Sequence, residues 1–422
     1  MKKLLVLALI LLLGAAARAS AATSCPASLF DQVSAIVQPQ LDTHPELKLA
    51  AVVGIVEPAS DGAVLTHIFY FGHAVDSNGA PLTLDGATEF EIGSVSKTFT
   101  AAIFASLLER NGSLFKLPTN RIFRQTPAFM GQQTTLGDLS NYTSGLPDSN
   151  RGLGSDSCTF GGGTITNCFD LELMFQNLSD TALSGLAFLP GSEFLYSDLG
   201  YALLALAEPV LGGLVKKNPG QLRLPDRLLQ GWETMLGSIV LQPLGMNSTH
   251  AFDPAIDPPV LPKGFHSDLS GKVTTALDHN TSWPSYIGAG GIVSTPNDMM
   301  LYLEFNLGLL HNALNRLLPL LQTPSTKVVT GSGEQLAIGW FIATLKLGAS
   351  GIPYINKNVG VPAFTTQVDL APSTGTGVFV LTNVASDKGA DRIVDVRTIA
   401  YQVLQIINKS TPTTPPDTSD EP

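Results

Sequence analysis

"FEIGSVSKTFTA", Phe90 to Ala101, is apolar at the spacing of a buried helix, yet it sets Ser94, Ser96 and Lys97 into the opening turn. If the helix begins near Ser94, then Ser94 and Lys97 are three residues apart and lie on one face within reach of each other. The first turn carries unpaired backbone N–H groups and a partial positive charge, which favour an anion at Ser94 and disfavour a proton on a nearby lysine. A buried lysine of lowered pKa can take the proton of a serine hydroxyl, so this pattern can make a nucleophile without a histidine. The spacing alone also arises by chance, and Ser94 could serve merely as an N-cap. The setting adds weight, because Phe90, Ile92, Phe99 and Ile103 would bury the turn, and an unpaired lysine in a core is costly. Something must compensate Lys97.

Upstream of this turn, "SLFDQVSAIVQPQL" has helical spacing. "LAAVVGIVEP" and "VLTHIFYFGHAV", separated by "ASDGA", read as a β-hairpin. Downstream, "KTFTAAIFASLLERNG" continues the helix until Gly112 can end it. From Ser113 to Trp283 helical patches such as "YALLALAEPVLGGLV" and "RLLQGWETMLGSIVLQPLG" alternate with loops rich in Gly, Pro, Ser and Asn. "STPNDMMLYLEFNLGLL" has Thr295 as N-cap, Pro296 at the first helical position and Asp298 as capping-box partner. "LAIGWFIATL", "YINKNVG", "FTTQVDLAP" and "GTGVFVLTNV" then read as antiparallel strands turning at "GASG" and "PSTG", and "GADRIVDVRTIAYQVLQIIN" as a last helix.

Strands early and late, with helices between, imply an α+β fold whose antiparallel sheet is built from both ends of the chain and flanked by helices. The expected division is a signal peptide at 1–21, a first part of the α/β domain at 22–112, and a mainly helical insertion at 113–283. The second part of the α/β domain follows at 284–409, with a disordered tail at 410–422. A cleft between two such parts is where small ligands tend to sit.

The quoted segment resembles the active-site stretch of serine β-lactamases and penicillin-binding proteins, most closely their class C β-lactamase and D-alanyl-D-alanine carboxypeptidase branch. The similarity continues in order through "LGDLSNYTSGLPD", "FLPGSEFLYSDLGYALLA", "LQPLGMNST" and "GAGGIVSTPNDMMLYLE". It implies a β-lactamase/transpeptidase-like fold, with Ser94 as nucleophile and Lys97 and Tyr196 as its proton-handling partners. Asp198 stands where the family usually has asparagine. An ionised aspartate offers only acceptors and should raise the pKa of Lys97, which would make Tyr196 the better base.

Lys357, Asn358 and Val359 fall where the family has Lys-Thr-Gly. The resemblance gives Lys357 and Asn358, with Asp198, to substrate binding, Lys357 to lowering the tyrosine's pKa, and the backbone N–H groups of Ser94 and Gly360 to an oxyanion hole. Val359 is less easily accommodated, since a branched side chain there can narrow the cleft. The implied substrates are β-lactams or D-alanyl-D-alanine peptides. An esterase with the same residues and a silent penicillin- or peptidoglycan-binding protein remain open.

Charged residues make up 14% of the chain and the net charge is −11, so no basic surface is available for nucleic acid. "MKKLLVLALILLLGAAARASAA" pairs a basic start with an apolar run shorter than a bilayer span and small residues suited to cleavage, which predicts export to the periplasm or medium. No later segment is long and apolar enough to span a membrane. Cys158 and Cys168 flank a Gly-rich stretch that can fold back, so a local bridge and free thiols are both open, with Cys25 left over. The seven histidines are scattered and no metal-binding motif occurs, so neither metal nor cofactor is expected. A Gly-x-Ser-x-Gly elbow is missing too.

Overall fold

In the computed structural model, β1 (Ala50–Pro58) is uncharged and buried from Ala50 to Val56, because both of its faces are covered along that length. Ala51, Val53 and Ile55 join one core layer while Val52 and Val56 join the other. The described residues are 27–59, 61–123, 128–129, 131–148, 157–160, 163–166, 186–216, 224–252, 261–276, 286–361, 363–386 and 392–415. The expected signal segment, Cys25 and Cys168 lie outside them, so the suggested bridge does too. Among them, Ser157–Phe160 and Gly163–Thr166 do fold back on each other as a hairpin.

β1 pairs antiparallel with β2 (Val64–Gly72), as the hairpin reading predicts. The other strands of its sheet come from far along the chain: β3 (Gln335–Leu336), β4 (Phe341–Leu347), β5 (Ser350–Val361), β6 (Phe364–Ala371) and β7 (Thr376–Thr382). Their order is β3-β4-β5-β6-β7-β1-β2, every neighbouring pair antiparallel. The sheet is thus closed from both ends of the sequence, with β1 lying against β7. Gly54 faces Phe379 across that seam, and a Cβ on Gly54 would fall 2.1 Å from a ring carbon of Phe379. The aromatic ring fills the place a side chain would take.

Helices cover both faces. α1 (Leu29–Leu41), started by a capping box between Ser28 and Asp31, packs on one side with the last helix, α6 (Val396–Ile407). On the other side lie α2 (Ser96–Arg110), α3 (Asp198–Leu211), α4 (Leu224–Met235) and α5 (Pro296–Asn306). α2 is buried from Ser96 to Leu108, so it has no solvent face along that length. It ends at Arg110, ahead of Gly112.

Two local expectations are adjusted. Thr295 does cap α5, but the Asp298 carboxylate leaves the capping box to accept from the Ser248 backbone N–H and the Thr249 hydroxyl, both at 2.8 Å. The tail is held beyond residue 410, because the Thr413 N–H donates to Gln405 Oε1 at 2.7 Å. Residues 416–422 lie outside the described set. No helix among the described residues is long and apolar enough to cross a membrane.

Candidate active site

Ser94 does not cap α2. It sits inside a tight turn, Gly93–Val95, that runs straight into the helix, and no side chain caps the α2 start. The Ser94 hydroxyl therefore remains available for chemistry. The turn is fixed from outside: Ile92 N–H donates to Ile292 O at 3.0 Å, and Ile292 N–H donates to Ser96 Oγ at 3.1 Å. Ser96 is thereby explained as an anchor, which separates it from its two polar neighbours.

Lys97 has no solvent exposure. Its ammonium donates to Ser94 Oγ at 2.5 Å and to the Ala289 carbonyl at 2.7 Å, and it contacts Asp198 Oδ1. Three acceptors match the three N–H bonds of an ammonium, which is how the fold compensates a buried cation. Ala289 is held in place by close packing, because a Cβ on the preceding Gly288 would lie 2.3 Å from Ala205 Cβ, and Gly288 O accepts from the Thr100 hydroxyl.

Tyr196 and Asp198 flank Ser197, whose hydroxyl caps α3 by accepting from Gly200 N–H at 2.9 Å and donates to Pro147 O at 2.7 Å. Backbone bonds from Leu195 N–H to Tyr142 O and from Leu199 N–H to Asp148 O brace the same segment. Two lysines approach the Tyr196 ring, with Lys97 Nζ 4.9 Å and Lys357 Nζ 4.6 Å from its centroid. Lys357, fully buried on β5, also approaches the rings of Phe341 at 4.6 Å and Tyr142 at 5.3 Å. Aromatic faces attract such cations by their quadrupole.

The acid–base order of the site differs from the order expected of an aspartate beside Lys97. Burial lowers the Lys97 pKa, and it outweighs the opposing pull of Asp198 and the smaller one of Asp148. Burial, followed by Asp198, pushes the Tyr196 phenol well above its ordinary value, against a lowering contribution from the Ser94 hydroxyl. The lysine is thus biased toward losing its proton and the tyrosine toward keeping one.

Of the residues singled out from sequence, Ser94, Lys97, Tyr196, Asp198 and Lys357 converge here. Asn358 parts from them: strand alternation puts it on the face opposite Lys357, in register with Gln367. Gly360 pairs with Thr365, near the end of β5. β4 pairs with β5 only as far as Asn356, so Val359–Val361 has β6 on one edge and no strand on the other among the described residues. β5 packs on the turn that holds Ser94.

Sequence reasoning assigned no role to Tyr142, Phe341 or the Ala289 carbonyl. A backbone carbonyl leaves no mark in the sequence. For Tyr142 the only trace was its place inside "LGDLSNYTSGLPD".

The geometry agrees with comparisons to known proteins. The Beta-lactamase family model matches residues 52–401. The D-alanyl-D-alanine-carboxypeptidase/endopeptidase AmpH of Escherichia coli K12 is 26% identical over 324 residues, covering 74% of each chain. Penicillin-binding protein 4* of Bacillus subtilis is 30% identical over 205 residues, 49% of this chain and 39% of that protein. Among solved structures, an octameric penicillin-binding protein homologue from Pyrococcus abyssi superposes with a TM-score of 0.69 at 20% identity, covering 91% of this chain and 78% of that one. A class C β-lactamase gives 0.65 at 18% identity, with 89% and 95% covered. These structural likenesses establish a β-lactamase/transpeptidase-like fold.

Proposed function

Because the chain belongs to the Beta-lactamase family, and is a serine hydrolase of the class C β-lactamase and D-alanyl-D-alanine carboxypeptidase branch, we propose that it is exported and cleaves β-lactams or D-alanyl-D-alanine peptides through an acyl-enzyme on Ser94. The observation that carries this reading is the 2.5 Å contact between Ser94 Oγ and a buried Lys97 whose proton is disfavoured. In the neutral lysine the sense of that hydrogen bond reverses, and the amine accepts the serine proton as Oγ attacks the carbonyl carbon.

Tyr196, kept protonated, hands its proton to the leaving nitrogen or oxygen and is resupplied from Lys97. The Ser94 and Gly360 N–H groups hold the oxyanion, each worth on the order of 3 kcal/mol. Lys357 receives a substrate carboxylate. Asn358 acts from the far face of β5 and so bears on the strand more than on the ligand.

An ester substrate is the second reading. Asp198 favours it, since a carboxylate there supplies no N–H to an amide side chain of the substrate. The deciding experiment treats wild type and Ser94→Ala with a fluorescent penicillin, then assays nitrocefin, a D-alanyl-D-alanine peptide and p-nitrophenyl acetate. Labelling that is lost in Ser94→Ala, with turnover of nitrocefin or the peptide, supports the first reading. Turnover of the acetate alone supports the esterase, and no label or turnover of any kind would leave a silent binding protein.

A further inference from the structure

Asp198 is the acidic member of the cluster, and its two oxygens have different surroundings. Oδ1 is buried against Lys97 Nζ. The side chain as a whole is 22% exposed, while Ser94 and Tyr196 are buried, so solvent meets this residue away from Oδ1. Lys97 links this carboxylate to the nucleophile, and its two short contacts, with Ser94 Oγ and with Asp198 Oδ1, hold those oxygens within about 5 Å of each other. A single water bonded to a carboxylate fits that interval when it meets an acyl carbon carried by Ser94 Oγ.

The asparagine usual at this place cannot take a proton from water. A carboxylate can. Asp198 opens α3, with its neighbour Ser197 as the cap, so its backbone is set by the same hydrogen bonds that fix Tyr196. Burial also works against a permanent proton on Lys97, which keeps the carboxylate from being locked to a fixed cation.

We propose that Asp198 is the general base of deacylation. The inference rests on the acyl-enzyme reading above. Asp198 removes one proton from a water molecule as the water oxygen forms a bond to the ester carbon, and the carbonyl electron pair moves onto its oxygen. When that pair returns, the bond between carbon and Ser94 Oγ breaks. The proton taken up by Asp198 passes through Lys97 to Oγ, and the acyl group leaves as a carboxylic acid. Nothing is oxidised or reduced, and water is the sole co-reactant.

The test is Asp198→Asn, which is nearly isosteric and restores the residue usual in the family. Acylation is followed by stopped flow with nitrocefin and with p-nitrophenyl acetate, and the lifetime of the Ser94 adduct by intact mass. The expected result is an adduct that persists at least 100-fold longer than in wild type, with acylation altered less than tenfold, since general base catalysis contributes about 10²–10⁴. Asp198→Glu, which keeps the carboxylate, should recover at least tenfold of the lost rate. An adduct that forms on the Asn variant and clears within threefold of the wild-type rate overturns the role of Asp198 and leaves the acyl-enzyme intact. If wild type and variant both form no Ser94 adduct with either reagent, the acyl-enzyme reading falls and this inference with it.

Discussion

The ring of Tyr142 lies nearly parallel to that of Tyr196, 13° apart in plane with centroids 5.1 Å apart, although the Tyr142 backbone is held in the left-handed region at φ 61°. A bulky residue adopts that conformation only where its surroundings insist on it, and such positions gather at functional sites. Here the surroundings are Tyr196 on one side and Phe341, also stacked, at 5.3 Å. Tyr142 backs the tyrosine that the two lysines approach, and so fixes where the phenol points. Tyr142→Phe keeps the ring stack and should keep acylation within about threefold, since the lost hydroxyl bonds to Gly339 O, at a long 3.4 Å, and to Tyr201. Tyr142→Gly tolerates the backbone angle but removes the support, and acylation should fall about 10–100-fold in a rapid-mixing assay with nitrocefin.

Lys97→Met should abolish acylation, by about 10³-fold, while the chain still folds. Methionine fills much of the same volume and needs no acceptors, and the Asp198 carboxylate left behind retains partial contact with solvent. A thermal melt within a few degrees of wild type, together with loss of the fluorescent label, is the expected pair of results. A chain that unfolds would mean that the lysine's three bonds chiefly maintain the fold.

The acylation rate should rise with pH, along a limb set by Lys97 that lies below the ordinary lysine value of 10.5 because burial lowers it. The groups facing that nitrogen are Ser94, Tyr196, Tyr201, the Ala289 carbonyl and Asp198, with Asp148 acting from further off. Both aspartates favour the proton. Removing one charge in Asp198→Asn should therefore move the limb to lower pH, and a shift toward higher pH would contradict the assignment. Tyr196 should not contribute to this limb, since its phenol is pushed upward.

Glu208 gives a stability prediction away from the chemistry. It is fully buried on α3 and its carboxyl is pushed well above 4.5 by burial, against the Trp232 indole N–H, which favours the ionised form. A raised folded-state value means that the unfolded chain releases this proton first as pH rises. The stability it contributes is complete below about 4.5 and is lost as the pH climbs toward the folded-state value. Glu208→Gln should therefore stabilise the fold at pH 7, by an amount on the order of 1 kcal/mol read as a higher melting temperature, and the gain should vanish near pH 4.

Much of this architecture is legible in the residues. The apolar run of Ala50–Val56 announces a strand of a hairpin, and Thr295 before Pro296 announces a helix start. Ser94 and Lys97 are legible from their spacing together with the apolar residues around their turn and the motifs that follow in order. What escapes the sequence is whatever depends on partners remote in the chain. The lysine's balance between burial and Asp198 follows from how tightly residues 97, 198 and 289 are packed together, and a reading residue by residue weighs the charge but not the enclosure. Asp298 likewise leaves the capping box because Ser248 and Thr249 offer it better donors. The left-handed turn at Tyr142 is imposed by Tyr196 and Phe341, and tyrosine itself gives no hint of it.

The seam between β1 and β7 carries a consequence for biosynthesis. Ribosomes deliver the serine and its lysine early, but the strand bearing Lys357 and Gly360 emerges some 260 residues later, and the amino-terminal hairpin gains its second neighbour only after that. A nascent polypeptide therefore displays the nucleophile long before it has the means to stabilise an oxyanion. Reactivity is withheld until β5 has been made and set against the turn that holds Ser94.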